Sequence, residues 1–234
     1  MVKYGWNQPE RPATLHPAVE DARAVMFDFD FTLADSSRAV AICVNHALSR
    51  LGLPGAPGDA IARTIGMDLT TVLTTLAGEE HRPRGGEFFD HFRRKADEVM
   101  VDGTAFLPGA DRVLNTLHAA GYPIAIVSTK AAFRIEAALD RDGLRGTVDV
   151  IVGADEVSRC KPDPEGLIQA AGLLGFPNGQ CVYVGDSEVD ARAAEAAGMP
   201  FIPVLSGPTP AETFGRFRCR AVLAGVGDLL VASE

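Results

Sequence analysis

Five short apolar runs punctuate the chain: Ala24 to Phe27, Ile124 to Val127, Val150 to Val152, Cys181 to Val184, and Phe201 to Leu205. Each is too short for a helix and is bounded by turn residues, the pattern of strands buried on both faces. Between them the apolar positions recur at helical spacing, over Gly109 to Ala120, Ala131 to Leu139, Pro164 to Leu174, and Glu188 to Ala197. This alternation predicts an α/β protein built on a Rossmann-like open parallel sheet with helices on both faces.

The stretch from Ser36 to Phe106 breaks the pattern. It carries helical segments over Ser36 to Leu51, Asp68 to Ala77 and Glu87 to Met100, and no convincing strand. The expected organisation is therefore a catalytic core from 23–35 and 107–234, an all-helical insertion at 36–106, and an N-terminal extension at 1–22. The return linker is expected at Gly103 to Pro108. Rich in proline and polar residues, the extension reads as loosely held.

Composition narrows the function classes. The 234 residues are 47% hydrophobic and 23% charged, ordinary for a globular chain, and carry a formal net charge of −9. Nucleic-acid and anionic-membrane partners are not expected, because both need clustered positive charge, and Arg93-Arg94-Lys95 is the one basic cluster. No apolar run approaches the ~20 residues of a membrane span, and the N-terminal segment has no apolar stretch of the signal-peptide kind, so a cytoplasmic location is expected. Cys43, Cys160, Cys181 and Cys219 form no CxxC pair, which suggests reduced thiols rather than a disulfide framework or zinc site.

Candidate chemistry comes from position. In open α/β sheets ligands bind beyond the carboxyl ends of the strands. The residues just after the apolar runs are Asp28 and Asp30 in VMFDFDFT, Ser128 in AIVSTK, Lys161 in CKPDP, and Asp186 and Asp190 in YVGDSEVDAR. Asp28 and Asp30 are two apart, so on a regular strand they share a face; Asp186 and Asp190 are four apart and share a face of a helical turn. Four carboxylates at one edge repel unless a cation lies among them, and hard oxygen donors favour magnesium. A lysine and a hydroxyl beside them suit the oxygens of a phosphoryl group.

Together these residues resemble the haloacid dehalogenase superfamily, and within it phosphatases of the phosphoglycolate phosphatase kind. The resemblance runs from Ala24 to about Leu230, with Asp28-Phe29-Asp30-Phe31-Thr32 as its Asp-x-Asp-x-Thr motif. It implies Asp28 as nucleophile, Asp30 as general acid and base, and Thr32 as a residue shaping the turn. Ser128 matches the second motif, Lys161 the third, and Asp186 with Asp190 the acidic fourth. Catalysis is thus expected from Asp28, Asp30, Ser128 and Lys161, and substrate binding from Thr32, Ser128, Thr129 and Lys161. Magnesium is expected at Asp28, Asp30, Asp186 and Asp190, Asp30 through its backbone carbonyl and Asp190 either completing the metal shell or orienting Lys161. The helical insertion resembles that family's small cap domain.

The implied function is hydrolysis of a small phosphorylated metabolite through an aspartyl-phosphate, by a monomer or homodimer. A phosphosugar mutase of the same superfamily and a non-catalytic phosphate-binding module are the alternatives; a dehalogenase suits Asp30 and magnesium less well. Where many relatives carry glycine this chain has Phe31, which either narrows the cleft or packs beneath the cap. In the insertion, Arg63, Arg82 and Arg84 are candidates for gripping a substrate carboxylate; His46 and His91 lie on cap helices within reach of a substrate but, like the other histidines, are expected to be structural or exposed.

Overall fold

The computed structural model describes residues 14–231. Five parallel strands form the central sheet: β1 (Ala24–Phe27), β2 (Ile124–Val127), β3 (Val150–Val152), β4 (Cys181–Gly185) and β5 (Phe201–Pro203). Their order is β3-β2-β1-β4-β5, so the chain turns outward in opposite directions on either side of β1. That reversal leaves a crevice at the carboxyl ends of β1 and β4, the place where such sheets bind ligands.

Both faces of the sheet are covered, and the two-residue period of the strands sorts their side chains between them. Val25, Phe27, Ile126, Val182 and Val184 pack on one side with helices α5 (Ala110–Ala119) and α6 (Ala132–Arg141). Ala24, Met26, Ala125, Cys181 and Tyr183 pack on the other with α7 (Glu165–Leu174) and α8 (Glu188–Ala197). Burial on both sides is why these strands read as unbroken apolar runs.

Between Asp35 and Ala105 lie the helices α1 (Ser37–Arg50), α2 (Gly58–Ala62), α3 (Leu69–Ala77) and α4 (Gly85–Val99), with a 3₁₀ segment at Glu79–Arg84. They enclose an apolar core of their own, including Cys43, Leu48, Ile61, Leu73, Phe88 and Phe92. The five residues of α2 are too few to leave a periodic signal, and the sequence did not announce them. The chain enters and leaves this helical cap side by side: Ala34–Asp35 pairs antiparallel with Ala105–Phe106, inside what reads in sequence as a linker.

The extension departs from expectation. Residues 1–13, with Trp6, lie outside the described residues, but 14–22 are tied to the core. Thr14–Leu15 pairs antiparallel with Leu230–Val231, and the His16 ring accepts a hydrogen bond from the Ala18 amide at 3.0 Å. Val19 is fully buried in the core, an apolar anchor that the polar composition around it concealed.

Candidate active site

Asp28 is the first residue beyond β1, and its amide still donates to the Val184 carbonyl at 2.8 Å. That last ladder bond fixes the backbone that carries the carboxylate. Across the crevice, Lys161 Nζ lies 2.9 Å from Asp28 Oδ1, 2.6 Å from Asp190 Oδ1 and 2.8 Å from the Tyr183 hydroxyl. The Tyr183 hydroxyl is 3.0 Å from both the Val127 carbonyl and Asp190 Oδ1. Asp190 also takes hydrogen bonds from the amide and hydroxyl of Ser187, while its own amide donates back to Ser187 Oγ: a capping box that starts α8 and locks the carboxylate. The Ser128 amide donates to the Val152 carbonyl, and Ser128 Oγ accepts from the Lys130 amide at 3.3 Å.

Burial sets the electrostatics. Asp28 is pushed up to about 7, first by loss of water and then by the neighbouring Asp190, against the pull of Lys161. Burial, with Asp190 and Asp28 close by, holds Asp186 well above the usual carboxylate range. Burial opposes the charge on Lys161, but Asp190 and Asp28 outweigh it and keep the ammonium above the usual lysine value. Burial and Asp190 likewise hold the Tyr183 phenol protonated. The pocket therefore has one firm cation and a surplus of carboxylates that want either protons or a second cation.

Oxygens of Asp28, Asp186 and Asp190 all lie within 4.8 Å of one another. Asp28 Oδ1 is buried, with the Lys161 ammonium at 2.9 Å as its ion-pair partner. Three buried carboxylates facing a single ammonium make a set of hard oxygen donors that fits a divalent cation such as magnesium.

The fourth expected carboxylate is elsewhere. Asp30 is turned away from the cluster: Ser36 Oγ donates to its Oδ1, and Lys130 Nζ sits 3.1 Å from its Oδ2. Shared-face geometry requires a regular strand, and β1 ends at Phe27. Beyond it the chain turns, with Phe31 at a φ of 59° and its amide donating to the Ala34 carbonyl at 2.7 Å. That positive φ is a conformation glycine adopts more readily than phenylalanine. Phe31 is not among the residues lining the cleft. Thr32 is fully buried, its hydroxyl 3.4 Å from Asp186 Oδ1 and so directed at the acidic cluster.

A cavity of about 600 Å³ opens between the helical cap and the sheet edge, with Asp30, Thr129 and Lys130 on its wall. Arg63, Arg82 and Arg84 do not reach it; they pair with Asp59, Glu79 and Glu87 within the cap. The cationic side chains on the wall are Lys130, Arg93 and Arg134. His46 and His91 stack edge to face within the cap, 6.4 Å apart, away from the cavity wall.

Lys130, Ser36, Tyr183 and Gly207 join the site without a motif of their own in the sequence. Lys130 stood two residues after the strand-end serine, which was a usable signal. Tyr183 looked like one more apolar strand residue. Gly207 sits so close to Asp186 that a Cβ there falls 1.8 Å from Asp186 Oδ2. Gly207→Ala is accordingly expected to displace that carboxylate and lower kcat/KM roughly 100-fold, the cost of moving a site group by about an ångström. Steady-state kinetics beside a melting curve check this, and wild-type kinetics would show that the loop yields freely.

The haloacid dehalogenase-like hydrolase family matches residues 25–204. A phosphoglycolate phosphatase of Yersinia pseudotuberculosis is 34% identical over 218 residues, covering 90% of this chain and 92% of the relative. The phosphoglycolate phosphatase of Escherichia coli K12 is 30% identical over 234 residues, covering 91% and 93%. Among solved structures, a haloacid dehalogenase-like hydrolase from Bacteroides fragilis superposes with a TM-score of 0.85 at 36% identity, over 89% of this chain and 99% of that one.

Proposed function

The chain belongs to the haloacid dehalogenase-like hydrolase family, and on that premise we propose that it is a magnesium-dependent phosphatase that hydrolyses a small phosphate monoester through an aspartyl-phosphate on Asp28. The observation that carries this reading is the buried contact of Asp28 with Lys161, set against Asp186 and Asp190 at the crevice of the sheet.

Phosphoryl transfer asks a protein mainly for positioning and charge neutralisation. An Asp28 oxygen attacks phosphorus, and the bond from phosphorus to the ester oxygen breaks. Asp30, held on the cavity wall by Lys130 and Ser36, gives its proton to the departing alkoxide. Water then attacks the phosphorus of the aspartyl-phosphate, Asp30 takes the water's proton, and the bond to Asp28 breaks to release phosphate. Lys161 and Ser128 bind the transferring group. Asp190 and Tyr183 keep the ammonium of Lys161 in place.

Magnesium would be held by Asp28 and Asp186, and would offset the repulsion between an anionic nucleophile and an anionic phosphate. Both oxygens of Asp190 are already engaged by Lys161, Tyr183 and Ser187, so we assign it to orienting Lys161. The helical cap is suited to closing over the crevice and excluding water. Among the described residues no helix is long and apolar enough to cross a membrane, and the four cysteines are free thiols. Both features accord with a soluble metabolite as substrate and a reducing, cytoplasmic setting.

The names of the relatives make 2-phosphoglycolate the first compound to assay. Phosphate release is expected to stop in excess chelator and to return with magnesium. Because Asp28 without metal titrates near 7, protons compete with the metal below that pH. The half-maximal magnesium concentration should therefore rise about tenfold between pH 8 and pH 6. Undiminished turnover in chelator rejects the metal requirement, and a pH-independent magnesium curve rejects the raised titration of Asp28.

A further inference from the structure

The cavity beside the catalytic carboxylates is larger and more apolar than a two-carbon acid requires. Its volume of about 600 Å³ falls in the range of pockets that enclose ligands of roughly 300–1,000 Å³. One corner holds Asp30, Thr129 and Lys130, so the cavity begins where the leaving oxygen must depart. Much of the wall running away from that corner is hydrocarbon, with Asp68, Thr70 and Arg93 interleaved: Val40 from α1, Ile65 and Met67 from the segment leading into α3, Leu69 at the start of α3, Phe89 from α4 and Phe133 from α6.

Two of these walls are poorly covered. Phe89 is 47% exposed and Phe133 is 52% exposed, and they come from the cap and from the core respectively. Apolar lining around a cleft, with aromatic side chains left wet in the free protein, marks a surface completed by a ligand. Of the three cations on the wall, two are already engaged and the third, Arg93, is exposed at its edge. Lys130 is already paired with Asp30, and Arg134 reaches from the core to Asp97 of the cap at 2.5 Å with Phe133 stacked on its guanidinium.

We propose that this cavity selects phosphate monoesters whose leaving alcohol carries an extended apolar body, in preference to esters of small polar alcohols such as glycolate. The inference rests on the phosphatase reading above and deepens it, because the same Asp30 that protonates the leaving oxygen stands at the cavity's inner end. The phosphoryl group occupies the crevice at Asp28, and the organic body extends between Phe89 and Phe133.

The test is a series of alkyl esters of similar intrinsic reactivity, assayed by phosphate release at saturating magnesium: methyl, butyl and 2-phenylethyl phosphate, with 2-phosphoglycolate alongside. Each buried methylene is worth about a fourfold gain in binding, so kcat/KM should rise about tenfold or more from methyl to 2-phenylethyl phosphate, with 2-phosphoglycolate below the latter. Phe89→Ala should cut the ratio of the two kcat/KM values about fivefold or more. Leu173→Ala, at a 64% exposed leucine of α7 outside the cavity, should leave that ratio as it is.

A flat or falling series alongside turnover of 2-phosphoglycolate overturns this inference and leaves the phosphatase reading standing. An unchanged ratio in Phe89→Ala overturns the placement of the organic body in this cavity. Release of phosphate from none of the esters, 2-phosphoglycolate included, overturns the phosphatase reading and this inference with it.

Discussion

Asp28→Asn is expected to leave a folded protein whose phosphatase activity is about four orders of magnitude lower, equivalent to ~5.5 kcal/mol of barrier. An amide has nearly the size of a carboxylate but is a far poorer nucleophile. Folding should not suffer, for a reason specific to this site. Because Asp28 is raised to about 7 in the folded protein, its protonated form is the one folding favours, and that stabilisation is lost as the pH rises from about 4 through 7. Above pH 7 the metal-free wild type buries an ionised carboxylate at a cost that asparagine does not incur. The metal-free variant should thus melt no lower than the wild type at pH 8, and magnesium should raise its melting temperature less. Wild-type turnover in the purified variant would reject the aspartyl-phosphate; a lower melting temperature at pH 8 would reject the electrostatic account of Asp28.

The second large effect is expected at Asp190. Its carboxylate has no exposed surface and accepts from Lys161, Tyr183 and Ser187. Asp190→Ala removes the stronger of the two anionic partners of a buried ammonium and leaves a cap of α8 unmade. Breaking a buried pair from one side costs about 3–5 kcal/mol. Loss of an outer partner of a site group typically costs up to about 100-fold in activity, and both changes are expected here. Asp190→Asn tells positioning from ligation. If Asp190 acts by orienting Lys161, the amide lowers kcat with little change in the magnesium needed for half-maximal activity. A steep rise in that magnesium concentration with kcat retained would instead make Asp190 a metal ligand.

All five strands were legible because both faces of the sheet are covered, which forces continuous apolar runs. The residues after those runs were legible as a site because parallel strands bring their carboxyl ends to one edge. On that logic alone Asp28, Ser128, Lys161, Asp186 and Asp190 could be picked from the chain, and the structure places Asp28, Lys161, Asp186 and Asp190 in one buried cluster. The helical insertion was legible from the change of period between Ser36 and Phe106.

Other features depended on the folded chain. Past Phe27 the strand period no longer applies, so the direction of the Asp30 side chain was set by a turn at Phe31 and by partners 6 and 100 positions away, Ser36 and Lys130. Tyr183 carries no polar signal within its apolar run, and its role with Lys161 exists only because the loop after β3 folds back against β4. Val19 stands in a polar, proline-containing stretch, and only the packing of the folded chain buries it. The cavity walls come from segments as far apart as Val40 and Phe133. Local pattern determines which elements form and what chemistry stands at their ends, because those follow from neighbouring residues. Which side chains meet, and what fits between them, follows from the packing of the cap over the sheet, and no local pattern contains it.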